Sequence, residues 1–105
     1  MADCASSIVN KYKGKLVYLN VMKNISCDCD CDGNARPPCM KDIGILASTD
    51  PVAIDQACLD LIYKSDEPGK KELIERIEGK LGPHIIECAV KLGVGNSEYE
   101  LINVD

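Results

Sequence analysis

The sequence predicts one α/β domain over residues 1–105, in which a small mixed sheet of about three strands is layered with about four helices. Two observations predict this class. Apolar residues recur at helical spacing in four stretches, and three short β-rich runs lie between or after them. The resulting order, α-β-loop-β-α-α-α-β, contains neither an internal repeat nor a long linker, which favours a single layered domain.

The helices are placed by their apolar stripes and by the residues that begin or end them. Asp50 and Pro51 are typical of a helix start, because an aspartate accepts hydrogen bonds from free amide groups and a proline at the first position loses none. Gly14 and Gly93 are typical of helix ends. The predicted helices are residues 3–12, 51–64, 69–78 and 83–93.

The strands are predicted from short runs rich in Val, Ile, Leu and Tyr. They are residues 16–22, 43–47 and 99–104. The first run is apolar on both faces except at Asn20, and this pattern is typical of a strand that helices cover on both sides.

Composition narrows the class of function. The net charge is −5 and the twelve basic residues are scattered, which argues against nucleic-acid binding. No apolar run approaches the roughly 20 residues of a membrane span, and the first residues do not resemble a signal peptide. We therefore expect a cytoplasmic protein without a membrane partner. The cytoplasm keeps thiols reduced, so seven cysteines predict a metal or redox group rather than disulfides.

The main candidate site is a cysteine-rich loop over residues 26–41. It has neither helical nor alternating apolar periodicity, and it carries four thiols within thirteen residues. A run of small buried cysteines would not alternate with aspartates as these do. Glycine, asparagine and prolines in the loop allow the chain to reverse and to return its last cysteine towards the others. The predicted cofactor and metal ligands are Cys27, Cys29, Cys31 and Cys39.

The spacing of these thiols leaves the metal open. Sulfur ligands of one tetrahedral zinc lie roughly 3.8 Å apart. Alternate residues of an extended strand have Cβ atoms roughly 6.6 Å apart, so three alternating thiols suit one zinc only if the backbone turns. An iron–sulfur cluster, such as [4Fe–4S], tolerates a wider spread of ligands. An iron–sulfur cluster is therefore the first expectation and Zn²⁺ the alternative.

Other sites are weaker hypotheses. The aspartates at 28, 30 and 32 with Gly33 match the start of an EF-hand calcium loop, but Cys39 stands where the bidentate glutamate is needed. Cys58 and Cys88 are expected to be core thiols. His84 is expected on the surface without a cysteine partner, and no nucleophile–base pair or cofactor fingerprint predicts a reaction.

The loop and the segment after it, Asp42-Ile43-Gly44-Ile45-Leu46-Ala47-Ser48-Thr49-Asp50-Pro51-Val52-Ala53-Ile54-Asp55-Gln56-Ala57, resemble the C-terminal part of the DUF362 family. Residues 14–21 and 91–101 are similar to that family too. Its members are uncharacterised proteins that are often described as Fe–S centre proteins, and many are much longer. The resemblance implies an iron–sulfur or redox association. The family-like part of the loop is Cys29-Asp30-Cys31, while Cys27 and Cys39 are additions of this sequence.

The expected function is therefore a metal-binding domain with a redox or electron-transfer role within or beside a larger protein. The alternative is an interaction module in which zinc staples the loop. The expected partner is a redox protein or a missing N-terminal portion, which could supply further ligands.

Overall fold

The computed structural model describes residues 2–28, 32–34, 36–80 and 82–104. Within these residues the chain forms four helices and two strands, so the predicted α/β class is confirmed. Each element lies within two residues of its predicted bounds. The elements are α1 (Ala2–Lys11), β1 (Tyr18–Met22), β2 (Gly44–Ser48), α2 (Pro51–Lys64), α3 (Lys70–Gly79) and α4 (Gly82–Lys91).

The sheet has two antiparallel strands, and its register runs from Tyr18 opposite Ser48 to Met22 opposite Gly44. The prediction of about three strands in a mixed sheet is wrong in this respect, because residues 99–104 are not a strand. Side-chain contacts hold that segment against α2: the Tyr99 hydroxyl donates to Asp60, which lies on α2. The segment thus lies near β2 without joining its hydrogen-bond ladder.

The ends of α2 and α4 form as their sequences predict. The Asp50 carboxylate accepts hydrogen bonds from the amides of Val52 and Ala53 at 2.9 and 3.1 Å, which caps α2. At the end of α4, Gly93 takes a φ of +74° and the Val94 amide donates to the Ala89 carbonyl. A glycine is favoured there because other residues avoid this conformation.

Buried residues form two clusters. The larger one lies where β1, the loop and helices α2 and α3 meet, and it contains Met22, Cys27, Met40, Ile62 and Leu73. The smaller one contains Val52 on α2, Ala89 on α4 and Val94 just after α4, and Val9 of α1 packs against it. The cysteine-rich loop therefore contributes to the main hydrophobic core.

Among the described helices only α2 packs on the sheet, and it covers one face. Asn20 faces α2, where its side-chain amide donates to Asp55 at 3.1 Å and to the Cys58 sulfur at 3.3 Å. On the opposite face Leu19 and Val21 are 67% and 62% exposed. The prediction that helices cover this strand on both sides is wrong, because among the described helices only α2 packs against the two strands.

Candidate metal centre

The cysteine-rich loop connects β1 to β2, and its base is closed by hydrogen bonds. The Ile43 amide donates to the Met22 carbonyl at 2.9 Å, directly beyond the last pair of the ladder. The Asn24 amide donates to the Asp42 carboxylate at 2.8 Å. These bonds hold the two ends of the loop together at the end of the sheet.

The second half of the loop returns beside the first. The amides of Cys39 and Met40 both donate to the Ile25 carbonyl, at 2.9 and 3.4 Å. This return brings the Cys27 and Cys39 sulfurs to 2.8 Å of each other. Cys27 is 7% exposed and Cys39 is half-buried beside it. Two of the four predicted ligands therefore form a dithiol pair at the edge of the core.

The other two predicted ligands, Cys29 and Cys31, lie outside the described residues. Among residues 2–28, 32–34, 36–80 and 82–104, no three His, Cys, Asp or Glu side chains are grouped as a metal site would require. The described part of the candidate centre is thus the Cys27–Cys39 pair and the residues that support it.

Burial strongly affects the thiol of Cys27. Loss of solvent, with a smaller contribution from the hydrogen bond to Cys39, raises its pKa to about 12. The thiol is therefore protonated at neutral pH in the metal-free chain. A metal ion would have to displace this proton to gain a thiolate ligand, and that displacement couples metal binding to proton release.

Two arginines hold the start of the loop at Asp28. Arg36 donates from Nε to Asp28 Oδ2 at 2.9 Å and from Nη2 to Oδ1 at 3.2 Å. Arg76, on α3, donates to Asp28 Oδ1 at 3.3 Å and to the Cys27 carbonyl at 3.1 Å. These contacts, above all the hydrogen bonds from Arg36, hold the pKa of the Asp28 carboxyl well below its usual range.

This pairing also bears on the calcium hypothesis. Asp28 would be the first ligand of an EF-hand loop, but both of its carboxylate oxygens already accept from arginines. Cys39, at the position of the bidentate glutamate, faces Cys27. The described geometry therefore does not support an EF-hand.

Gly69 fixes the position of Cys39. It precedes α3, and a Cβ built on it would overlap the carbonyl oxygen and carbon of Cys39. Only a glycine allows the returning chain to approach the start of α3 so closely. Sequence reasoning missed this residue, because a glycine before a helix is common and its neighbour is thirty positions away.

Sequence reasoning also missed the two arginines. They are the only arginines of the chain, and the position of Arg36 between the third and fourth loop cysteines was a usable signal. Arg76 could not have been found in this way, because it reaches the loop from a helix more than forty residues further along the chain.

The remaining cysteines lie away from this pair. Cys58 packs beside the main core cluster, as predicted, and burial raises its pKa. Cys4 is exposed. The prediction that His84 has no cysteine partner is wrong: its Nε2 lies 3.4 Å from Cys88 Sγ, because the two residues are one helical turn apart on α4.

The loop bears a dithiol pair and packs on a two-stranded sheet and on helix α3. These features define the class of protein as a small α/β protein with a cysteine-rich loop. A family model described as a domain of unknown function, DUF362, matches residues 1–60, which is more than half of the chain. The chain belongs to the DUF362 family. No curated protein and no solved structure matches it.

The matched residues include α1, both strands, the loop and most of α2. The resemblance at residues 91–101 lies beyond the match and stays an expectation. None of the helices in the described ranges has the length and apolar character to cross a membrane.

Proposed function

We propose that this chain is a metal-binding domain that holds an iron–sulfur cluster on Cys27, Cys29, Cys31 and Cys39 and serves electron transfer. The observation that carries the proposal is the 2.8 Å separation of the Cys27 and Cys39 sulfurs. These residues are twelve positions apart, and a set of hydrogen bonds on both sides of the loop holds them together. Thiolates gathered in this way are the ligands that iron–sulfur clusters take.

The described pair fits such a group in its chemistry. Two sulfurs that share one metal ion lie roughly 3.8 Å apart, so the two thiols would move apart by about 1 Å to bind the same ion, and further to bind two different irons of a [4Fe–4S] cluster. Side-chain rotation can supply this movement. When bound, the cluster would supply a one-electron carrier. The residues of this chain would hold it, exclude water on the side of Cys27, and set the surrounding charge.

The surrounding charge differs from what the loop sequence alone implies. Four thiolates and three nearby aspartates would give a low reduction potential. Asp28, however, is paired with Arg36 and Arg76, and these cations lie close to Cys27. We therefore propose a potential that is higher than the aspartate content of the loop suggests.

We place the protein in the cytoplasm, where thiols stay reduced. Its partner in this proposal is a redox protein, or a preceding portion of a longer protein that carries further cluster ligands. The acidic composition, with a net charge of −5, favours a partner with a basic surface.

The second candidate is a zinc-stapled interaction module. One observation favours it: Cys27 belongs to the main hydrophobic core, so a metal bound there would tie the loop to that core. A structural zinc would contribute directly to folding free energy. This candidate predicts about one zinc per chain and no visible colour.

Anaerobic purification followed by iron, sulfide and zinc analysis separates the two candidates. The iron–sulfur proposal expects visible charge-transfer absorption with iron and sulfide in equal amounts. A colourless protein that stays iron-free after anaerobic reconstitution would overturn it. Zinc at one per chain would establish the second candidate instead.

Serine variants locate the site. We expect Cys29→Ser and Cys31→Ser to remove most of the metal, because a hydroxyl replaces a soft thiolate poorly. Cys27→Ser and Cys39→Ser should lower the metal content by an intermediate amount, since a neighbouring aspartate or an external ligand can replace one thiolate. Cys88→Ser, on α4, is the matched control and should retain full metal content.

A further inference from the structure

The Cys27 and Cys39 sulfurs lie closer together than two ligands of one metal ion do. Their separation is 2.8 Å, and both residues are free cysteines. Sulfurs that share a metal ion lie roughly 3.8 Å apart, whereas a disulfide bond is about 2.05 Å long. The pair is thus roughly 1 Å short of the metal-ligand spacing and roughly 0.8 Å longer than a covalent bond. This spacing suits a dithiol that can be oxidised as a unit.

Main-chain contacts hold the two cysteines in this position. The Cys39 amide donates to the Ile25 carbonyl at 2.9 Å, and Arg76 donates to the Cys27 carbonyl at 3.1 Å. Gly69 leaves room for the Cys39 carbonyl. None of these contacts uses a sulfur atom, so all of them can persist when the two sulfurs bond to each other. Rotation of the two side chains is enough to bring the sulfurs together.

The two thiols differ in their access to solvent. Cys27 is 7% exposed and belongs to the main core cluster, while Cys39 is half-buried and packs against that cluster from outside. A dissolved reagent therefore reaches the Cys39 sulfur first, because exposure governs which thiol of a pair reacts. Cys27 is placed to react with Cys39 rather than with solvent.

We infer that the Cys27–Cys39 pair is a reversible thiol–disulfide exchange site whose substrate is a small disulfide such as glutathione disulfide. Disulfides in the cytoplasm are usually transient and redox-sensing, and this pair fits that class because its thiols meet without being bonded. The reaction belongs to the metal-free chain, in which both sulfurs are available.

The exchange proceeds in two steps. The Cys39 sulfur attacks one sulfur of glutathione disulfide, whose own sulfur–sulfur bond breaks, and one glutathione leaves as a thiol with the Cys39 proton. The Cys27 sulfur then attacks the Cys39 sulfur of this mixed disulfide. The second glutathione leaves as a thiol with the Cys27 proton. The two cysteines have then lost two electrons, and glutathione disulfide has gained them.

Oxidation of the pair would also regulate metal binding, and this consequence rests on the proposed function. A thiolate binds metal and a disulfide sulfur does not, so oxidation removes two of the four proposed ligands at once. The oxidised chain should therefore bind less metal than either Cys27→Ser or Cys39→Ser, each of which loses one thiolate. Reduction of the disulfide should restore binding.

Peptide mapping of the metal-free full chain after treatment with glutathione disulfide tests the exchange itself. A protease that cuts before aspartate separates the loop cysteines, since an aspartate follows each of the first three. We expect a Cys27–Cys39 cross-link as the main product, which dithiothreitol reverses. A chain that keeps these thiols free, or that mainly links either of them to Cys29 or Cys31, would overturn the inference.

Serine variants test the order of the two steps. In a Cys29→Ser/Cys31→Ser background the cross-link should still form, and adding Cys27→Ser should stop the reaction at a mixed disulfide on Cys39. Adding Cys39→Ser instead should slow the reaction of Cys27 at least about tenfold relative to that of Cys39, because Cys27 is buried. Equal rates would contradict the order. Cys88→Ser, on α4, is the matched control and should leave the cross-link unchanged.

A Zn²⁺ titration without thiol reductant tests the consequence for metal binding. We expect the oxidised chain to bind Zn²⁺ at least about tenfold more weakly than the reduced chain. Equal affinities would show that the disulfide does not regulate the site. A reduced chain that forms the cross-link but binds no metal would count against the proposed function, and it would leave the exchange site established.

Discussion

At the scale of single residues, the candidate centre depends on a few close approaches that different elements make to the loop. Gly69 admits the backbone of Cys39, Arg76 binds the carbonyl of Cys27, and Ile25 accepts from the returning chain. None of these residues would ligate a metal. They determine where the two described thiols stand, and so whether the thiols meet.

Gly69 gives the first prediction. We expect Gly69→Ala to displace Cys39, and thus to lower both bound metal and stability, because the new methyl group would overlap the Cys39 carbonyl. The cost in unfolding free energy should be about 1–3 kcal/mol. Metal analysis and urea unfolding of the purified variant measure the two effects.

Gly79→Ala, on the same helix, is its control. A Cβ at Gly79 would meet nothing within 4 Å, so this substitution should keep the metal and stabilise α3 by about 0.5–1 kcal/mol. Equal metal loss in both variants would show that α3 does not position Cys39.

Cys58 gives the second prediction. Its sulfur accepts from the side-chain amide of Asn20, and the same amide can donate to a serine hydroxyl. Cys58→Ser should therefore cost only about 0–1 kcal/mol of unfolding free energy, with unchanged metal content. Asn20→Ala removes that donor. The Asn20→Ala/Cys58→Ser double variant should therefore lose more unfolding free energy than the two single variants lose together. Urea unfolding of the four proteins completes the cycle, and additive costs would contradict the proposed rescue.

At the scale of elements, several contacts tie irregular segments to helices, and two of them involve groups with shifted pKa values. The loop is tied to α3 through Asp28 and Arg76, and the segment after α4 is tied to α2 through Tyr99 and Asp60. Each contact joins segments that are distant in sequence. Each also includes a group whose pKa is shifted, so its contribution to stability depends on pH.

The Asp28 contact predicts acid sensitivity. Its pKa is lowered in the folded chain, so the contact contributes stability above the unfolded value of about 3.9. This contribution is lost as the pH falls below that value towards the folded pKa. Metal-free protein should lose more stability between pH 6 and about pH 3 than its Asp28→Asn variant does. Urea unfolding across that range checks this, and parallel profiles would contradict it.

The Tyr99 contact predicts the opposite dependence. Its pKa is raised, first by the hydrogen bond to Asp60, because the neutral hydroxyl donates to that carboxylate. A raised pKa contributes stability below the unfolded value of about 10, and this is lost as the pH rises through the folded value. Limited proteolysis should cleave residues 96–104 faster at alkaline pH than at neutral pH. In the Tyr99→Phe variant, cleavage at neutral pH should already be as fast as cleavage of the unchanged chain at alkaline pH. Slow cleavage of Tyr99→Phe at neutral pH would count against this role.

At the scale of the whole molecule, the main core and the candidate centre share residues. Cys27 and Met40 belong to the loop and to the cluster around Ile62 and Leu73. Binding or loss of a metal at the loop should therefore change global stability as well as local order.

This sharing gives the last prediction. Metal-depleted protein should keep its helical circular dichroism, because the described core and the base of the loop are held by apolar packing and backbone hydrogen bonds. It should melt at a lower temperature, by about 4–8 °C for each kcal/mol of binding free energy lost. Thermal melts before and after anaerobic chelation measure this. Complete unfolding on chelation would favour the zinc staple.

Much of the fold could be predicted from sequence because local chemistry decides it. Helix starts and ends follow from single residues such as Asp50 and Gly93, whose helix-capping hydrogen bonds lie within one or two turns. The motifs of the first sixty residues likewise predicted membership of the DUF362 family. The candidate ligands were named from their spacing, and their role in metal binding stays a prediction.

Only the tertiary structure decided the rest. Residues 99–104 have a strand-like composition, but they do not join the ladder of β1 and β2, and Tyr99 contacts α2 instead. The exposed face of β1, the meeting of Cys27 with Cys39, and the roles of Gly69 and Arg76 all depend on segments far apart in sequence. Apolar periodicity predicts that one face of an element is buried, but it does not identify the element that covers that face. That choice depends on how whole elements pack, which no single stretch of sequence encodes.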